Sequence, residues 1–219
     1  MLLPKRQRTR VKLLDVTQQM ILQHGCQSVS LKEICAAADM SAGTIYNYYR
    51  LPEDIFADIE KMLITVYHAT LDQALQGLTD PLEIVAASTR QTLSYALPNS
   101  SFGKMIFEGK LPHHGLINSI RNRFIRDMLI AESKGVFVIE KQIALLSMIS
   151  GGIYGSMNDL YYSKLPASAI EELTEIHLRM LGISANKAQT VASLAFDFVP
   201  LPELPLPAAE FLDAIDSAN

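Results

Sequence analysis

The stretch Ser30-Leu31-Lys32-Glu33-Ile34-Cys35-Ala36-Ala37-Ala38-Asp39-Met40-Ser41-Ala42-Gly43-Thr44-Ile45-Tyr46-Asn47-Tyr48-Tyr49 decides how this chain is read. Ser30 and Glu33 have the spacing of a capping box, in which a hydroxyl and a carboxylate satisfy the free N–H groups at a helix start. The spacing predicts a helix to about Ala38 that buries Leu31, Ile34 and Cys35, then a tight turn at Asp39-Met40. Ser41 suits the N-cap of a second short helix, Ala42 to about Tyr49, burying Ile45 and Tyr49 four residues apart. Two short helices joined by a tight turn, the second apolar on one face only, form a helix-turn-helix. A major groove admits one helix, whose early residues must be small and whose outer face must carry hydrogen-bonding groups. Ser41, Ala42, Gly43 and Thr44 are small, while Thr44, Tyr46, Asn47 and Tyr48 supply the polar groups.

Working outward, a helix from about Arg8 to His24 precedes the motif, with Gly25 as its stop signal. It follows a basic arm, and Arg6, Arg8, Arg10 and Lys32 are placed to hold phosphates. Residues 1–50 hold seven of the 19 basic residues and three of the 23 acidic ones, leaving twelve and twenty for the rest. A basic head on an acidic body fits a chain of which one part meets a polyanion, although the formal net charge is −4. Pro52 with Glu53 and Asp54 starts the next helix, which continues to about Gly77.

The body reads as successive helices: from Thr79-Asp80-Pro81 to about Leu97, a short one at 101–108, then about Leu116 to Ser133, Val138 to Ser163, Pro166 to Leu181 and Ala185 to Phe198. A proline-stiffened stretch, Pro200 to Pro207, leads to a last short helix at about Ala208 to Asp216. This tail is expected either to clasp a partner subunit or to be a loosely ordered extension. Strand patterns are nearly absent.

Residues 10 to 55 resemble the DNA-binding head of the tetracycline-repressor (TetR) family. The match runs through Arg10-x-x-Leu13-Leu14-Asp15, Gly25, Ser30-Leu31-Lys32-Glu33-Ile34-x-Ala36-Ala37, Met40-Ser41-x-Gly43-Thr44-Ile45-Tyr46-x-Tyr48-Tyr49 and Glu53-Asp54-Ile55. Two positions depart from the family pattern: Asp39 stands where Gly is usual, and Pro52 where Lys is frequent. The resemblance implies an all-α fold, with a three-helix helix-turn-helix DNA-binding domain at 1–50 and a larger helical domain at 51–219 for dimerisation and ligand binding. It assigns DNA contacts to Arg8, Arg10, Lys32, Ser41, Ala42, Gly43, Thr44, Tyr46, Asn47 and Tyr48. It places a four-helix dimer interface on about 139–163 and 166–181, where small residues recur between Ser147 and Ser156. An apolar ligand pocket would draw on Met62, Tyr67, Tyr95, Phe102, Met105, Phe107, Phe124, Tyr154 and Asn158.

The function so implied is that of a homodimeric repressor on a palindromic double-stranded operator, released by an unknown small-molecule effector. An activator of the same fold, or one answering to a protein partner, is the alternative. A helical protein that kept the fold without DNA binding is the rival class. No catalytic motif or cofactor signature is present, and His113-His114 has no array of metal ligands around it. Cys26 and Cys35 give no disulfide framework and read as small apolar residues of a reduced, cytoplasmic protein. The longest uncharged run, Gln142 to Asn158, is too short and polar for a membrane span.

Overall fold

A computed structural model describes residues 3–136 and 142–216, apart from the side chains of Ala42, Gln142, Ile143 and Ala214. Among the described residues every regular element is a helix, and none is long and apolar enough to cross a membrane. The chain divides into two compact units, one of residues 1–67, 101–116 and 202–219 and one of 68–100 and 117–201.

In the first unit, α1 (Lys5–His24) begins three residues before the sequence signals suggest. Pro4 has no N–H to leave unsatisfied, and its carbonyl takes the first helical bond from Arg8 at 3.0 Å. Leu13, Leu14 and Ile21 are buried on one face. Gly25, at φ 75°, ends the helix, and the next N–H, of Cys26, reaches the Gly109 carbonyl at 2.7 Å. α2 (Leu31–Ala37) has both halves of its capping box: Glu33 N–H donates to Ser30 Oγ at 3.3 Å, and Ser30 N–H to Glu33 Oε2 at 2.8 Å. Asp39 makes the turn at φ 53°, in the left-handed region that Asp tolerates better than most residues.

α3 (Ala42–Ile45) is one turn long, shorter than the expected run to Tyr49. Ser41 does not cap it; its hydroxyl pairs with the Thr44 hydroxyl at 2.9 Å. Residues 46–49 continue as tight turns, with Asn47 N–H on Thr44 and both Tyr48 and Tyr49 N–H on Ile45. Ile45 and Tyr49 are nevertheless buried, each worth about 1.5–3 kcal/mol of burial, and they fix the turn's orientation. α4 (Pro52–Ala74) is capped by Asp54, whose carboxylate accepts from Arg50 N–H and Leu51 N–H at 2.9 and 3.0 Å.

The same unit takes in α6 (Ser101–Gly103), a π-helical turn at Lys104–Glu108, and the tail. The Gln18 side chain, fully buried on α1, donates to the Leu206 carbonyl at 2.9 Å and accepts from Leu206 N–H at 2.9 Å. Asp15 accepts from Ala208 N–H at 3.0 Å, and α11 (Leu212–Asp216) buries Leu212 and Ile215. The tail is thus hydrogen-bonded to the first helix of its own chain.

In the second unit, α5 (Pro81–Ser94) starts on Asp80, whose carboxylate caps Leu82 N–H and Glu83 N–H. Its middle turn, Ser88 to Thr92, is polar and buried; Thr92 bonds back to the Ser88 carbonyl at 2.8 Å, and the other four side chains reach different neighbours. Ser88 meets α7 (His114–Ser133), Thr89 meets α9 (Ala169–Met180), and Gln91 holds the Val199 backbone through both N–H and C=O. Arg90 reaches the Leu194 carbonyl and Glu171, with the rings of Phe196 and Phe198 over its guanidinium at 5.4 and 5.7 Å. That contact explains why α10 (Ala185–Ala192) stops short of the expected Phe198: the two aromatic rings pack on Arg90 from extended chain. α8 (Gln142–Tyr161) covers the described part of the long stretch; its expected start at Val138 lies outside the described residues.

Candidate nucleic-acid interface and effector site

The turn at Asp39 and the burial of Ile45 and Tyr49 leave the other side of residues 41–48 facing outward. Ser41, Gly43, Tyr46 and Asn47 are exposed, Tyr46 by 61%, and Thr44 and Tyr48 are half-buried. A Cβ at Gly43 would meet nothing within 4 Å, so close approach, not internal packing, is what Gly43 permits. Lys32 and Arg8 are also exposed. The side chain of Ala42 lies outside the described residues.

Arg10, grouped by sequence with the phosphate-holding cations, is placed differently. Its Nη2 donates to Asp58 Oδ2 at 2.7 Å, its Nε to the Tyr49 hydroxyl at 3.2 Å, and its Nη1 to Asp216. The Tyr49 hydroxyl donates to the same Asp58 oxygen at 3.0 Å, and Lys61 reaches the other at 3.3 Å. One buried carboxylate on α4 therefore ties α1 to the end of the reading turn. Burial pulls the Arg10 pKa down, but the bonds to Asp58 and Tyr49 outweigh it and hold the group above its ordinary value. Burial, then the Asp58 charge, pushes the Tyr49 hydroxyl up, so it remains a donor. A polar cleft of about 390 Å³ opens beside this network, lined by Arg6, Gln7, Arg10, Tyr48 and Asp216.

Of the expected pocket residues, Met62, Tyr67, Phe102, Met105 and Phe107 are buried in the first unit. Tyr95 and Phe124 are buried in the second, and Tyr154 and Asn158 half-buried there. The Tyr95 hydroxyl pairs with Thr70 at 2.6 Å, and Phe124 sets its edge against His177.

The second unit also holds charged groups that the apolar list passed over. Asp127, 4% exposed, accepts from Arg123 Nε and Ser88 Oγ through Oδ2, each at 3.2 Å, and from Arg126 through Oδ1 at 3.3 Å. Arg123, 7% exposed, donates on to Asp72 at 2.6 Å. Burial lowers the Arg123 pKa, but Asp72 and Asp127 together outweigh that and raise it. Nearby on the same helices, His68 Nε2 and Ser119 Oγ stand 2.6 Å apart. Buried ion pairs are often no more stabilising than apolar residues of equal volume, so such a network in a helical body is a candidate for recognition. A signal for it exists in the sequence: Arg123 and Asp127 fall on the buried face marked by Ile120, Phe124 and Met128, where apolar residues are expected.

On α8 and α9 the exposed large apolar residues are Met148, Ile176 and Met180, and Gly151, Gly152 and Gly155 have open space where a Cβ would stand. Residues 139–141 of the expected interface lie outside the described residues. The rings of His113 and His114 stack at 6.0 Å, and no group of three metal-ligating side chains gathers among the described residues.

Residues 80–194 match the model of tetracyclin repressor-like C-terminal domains, and residues 13–59 match that of bacterial regulatory proteins of the tetR family. No curated protein matches the chain. A crystal structure of RolR with the ligand resorcinol is 26% identical, with TM-score 0.68 over 91% of this chain and 98% of that one. RolR without ligand gives 0.62 at 26% identity over 88% and 98%. The fatty acid degradation regulator FadR from Bacillus halodurans, 17% identical with TM-score 0.55 over 80% and 95%, shares the fold.

Proposed function

Because the chain belongs to the TetR family of bacterial regulatory proteins, we propose that it is a cytoplasmic homodimeric repressor that binds a palindromic operator and leaves it when a small molecule binds its body. The carrying observation is the outward face of residues 41–48, with small residues first and hydroxyl and amide groups after them, held from behind by Ile45 and Tyr49. Ser41, Ala42, Gly43, Thr44 and Asn47 face bases in this reading, while Tyr46, Tyr48, Lys32 and Arg8 take phosphates. Arg10 positions the reading turn through Asp58 and Tyr49. The head at 1–50 reads DNA, and residues 51–219 dimerise and sense.

The α8–α9 face, with its exposed methionines and uncovered glycines, supports a close helix–helix dimer. Two heads then span successive major grooves, about 34 Å apart. The Asp72–Arg123–Asp127–Arg126 network supports an effector with hydroxyl groups, because it offers both acceptors and donors around a buried Arg123–Asp127 pair. RolR, at 26% identity, binds a dihydroxylated ring, and that supports the same ligand class. The effector must bind better to the state whose heads no longer fit the operator.

Fluorescence anisotropy with the DNA upstream of the chain's own gene, across a salt series, tests the reading. Binding should fall steeply with salt, collapse in Thr44→Ala/Tyr48→Ala, and be reversed by resorcinol or a related phenol. Affinity equal to that for random DNA, there and on a genomic library, and unchanged by the double substitution, would refute it.

A further inference from the structure

A cavity of about 90 Å³ lies within the second unit between α5, α8 and α9, apart from the charged network. Leu93, Ile149, Ile153 and Leu173 make its wall apolar, and into that wall are set Thr89 from α5 and His177 from α9. Thr89 Oγ1 and His177 Nδ1 are 2.7 Å apart. The single Thr89 hydroxyl proton goes to the Val85 carbonyl at 2.9 Å, so the oxygen accepts from Nδ1–H. The imidazole therefore carries its lone pair on Nε2. That nitrogen is buried and has no hydrogen-bond partner among the described residues. Phe124 meets the ring edge-on, with centroids 5.5 Å apart, and brings no conventional donor. Burial depresses the His177 pKa to about 4, which keeps the ring neutral and Nε2 an acceptor at pH 7.

Buried acceptors are nearly always satisfied, and the ring that carries this one lines the cavity. We propose that the cavity binds a small, mainly apolar molecule with one hydrogen-bond donor, an alcohol or phenol no larger than a single ring, whose O–H is given to His177 Nε2. The volume corresponds to roughly three waters of liquid, and Met180 in the wall can shift to admit a ring. The site uses no residue of the charged network. Its mouth, marked by the exposed Met148 and Ile176, opens on the face proposed for dimerisation, so a side chain of a second copy is the rival occupant.

The test uses the full chain labelled with 15N-histidine, titrated with phenol or with toluene, which has the same shape and no donor. His177 is identified as the imidazole that stays neutral to about pH 4. Phenol should bind roughly tenfold more tightly than toluene and move the Nε2 resonance of His177 alone. His177→Phe should abolish the preference; if that variant does not fold, the wild-type resonance still decides. Equal binding of both probes, no binding of either, or an Nε2 resonance already hydrogen-bonded and unmoved by phenol would overturn the proposal, the last pointing to a second copy or water as occupant. The readout needs no DNA, so its failure is distinct from a failure of operator binding.

Discussion

Replacing Arg10 decides whether that residue holds DNA or holds the head together. Its guanidinium has three partners, and the main one, Asp58, is buried on α4 with its side chain 6% exposed. Breaking a buried pair from one side costs about 3–5 kcal/mol. Lys61 and the Tyr49 hydroxyl stay on Asp58 after Arg10→Met, so the expected loss is about 2–4 kcal/mol. Asp58→Ala should cost about the same, since Arg10 keeps Asp216. The double variant should lose less than the two together, by about 1–3 kcal/mol. Urea unfolding of the four proteins gives this coupling, and anisotropy over a salt series gives the second measure. Removing a phosphate contact lowers the slope of log K against log salt by about 0.9. Lys32→Ala should show that drop, and Arg10→Met, at temperatures where it is folded, should not. An Arg10→Met protein of unchanged stability with a slope reduced by one charge would refute the structural role, and Arg10 would rejoin the phosphate contacts.

Gly109→Ala should destabilise the first unit by about 2–3 kcal/mol, because the new Cβ would lie 2.5 Å from the Met105 carbonyl oxygen and 2.9 Å from Ile21 Cγ2; a melting temperature equal to wild type would show that neither contact is fixed. Gln18→Ala leaves Leu206 N–H and C=O unpaired, so the Leu206 amide should lose most of its protection in hydrogen exchange, and retained protection would mean the tail is held by its apolar contacts alone. His177 is neutral when folded down to about pH 4 but takes a proton near pH 6.5 when unfolded, so below 6.5 the unfolded state binds more protons. Its contribution, present above pH 6.5, should fall away by about 3 kcal/mol as pH drops towards 4, and a His177→Phe protein with the same acid slope would exclude it.

Where one local rule acts alone, the sequence reading and the structure agree. The Ser30–Glu33 box, the stop at Gly25 and the turn at Asp39 each follow from groups within four residues of one another. Tyr49 and Ile45 take the inner face as their spacing requires. Ser41, which pairs with Thr44 instead of capping α3, is a local miss, and the others below come from long-range contacts. Gln18 and Gln91 look like surface residues on amphipathic helices, yet each is buried and holds tail backbone more than 100 residues away. Ser88 to Thr92 reads as a polar face but lies in the interior, because α7, α9 and the segment after α10 supply partners to Ser88, Thr89, Arg90 and Gln91, while Thr92 bonds back to the Ser88 carbonyl. Charges at Arg123 and Asp127 are legible only as a break in an apolar period, a weak signal until Asp72 and Ser88 are seen beside them. The end of α10 depends on two phenylalanines stacking on an arginine a hundred residues earlier, which no local propensity reports.

The bonds from α1 to the tail span 188 to 206 residues of sequence. At translation speeds of about 5–20 residues per second, a newly made first helix waits roughly 10–40 s before Leu206 leaves the ribosome. During that interval Gln18 and Asp15 lack the tail partners they have in the finished molecule, and Arg10 lacks Asp216. A nascent or prematurely terminated chain that stops before residue 206 therefore displays the reading turn beside a first helix without its tail contacts. The DNA-binding end is finished only after translation has passed the far end of the fold, which makes the tail a record that synthesis got that far.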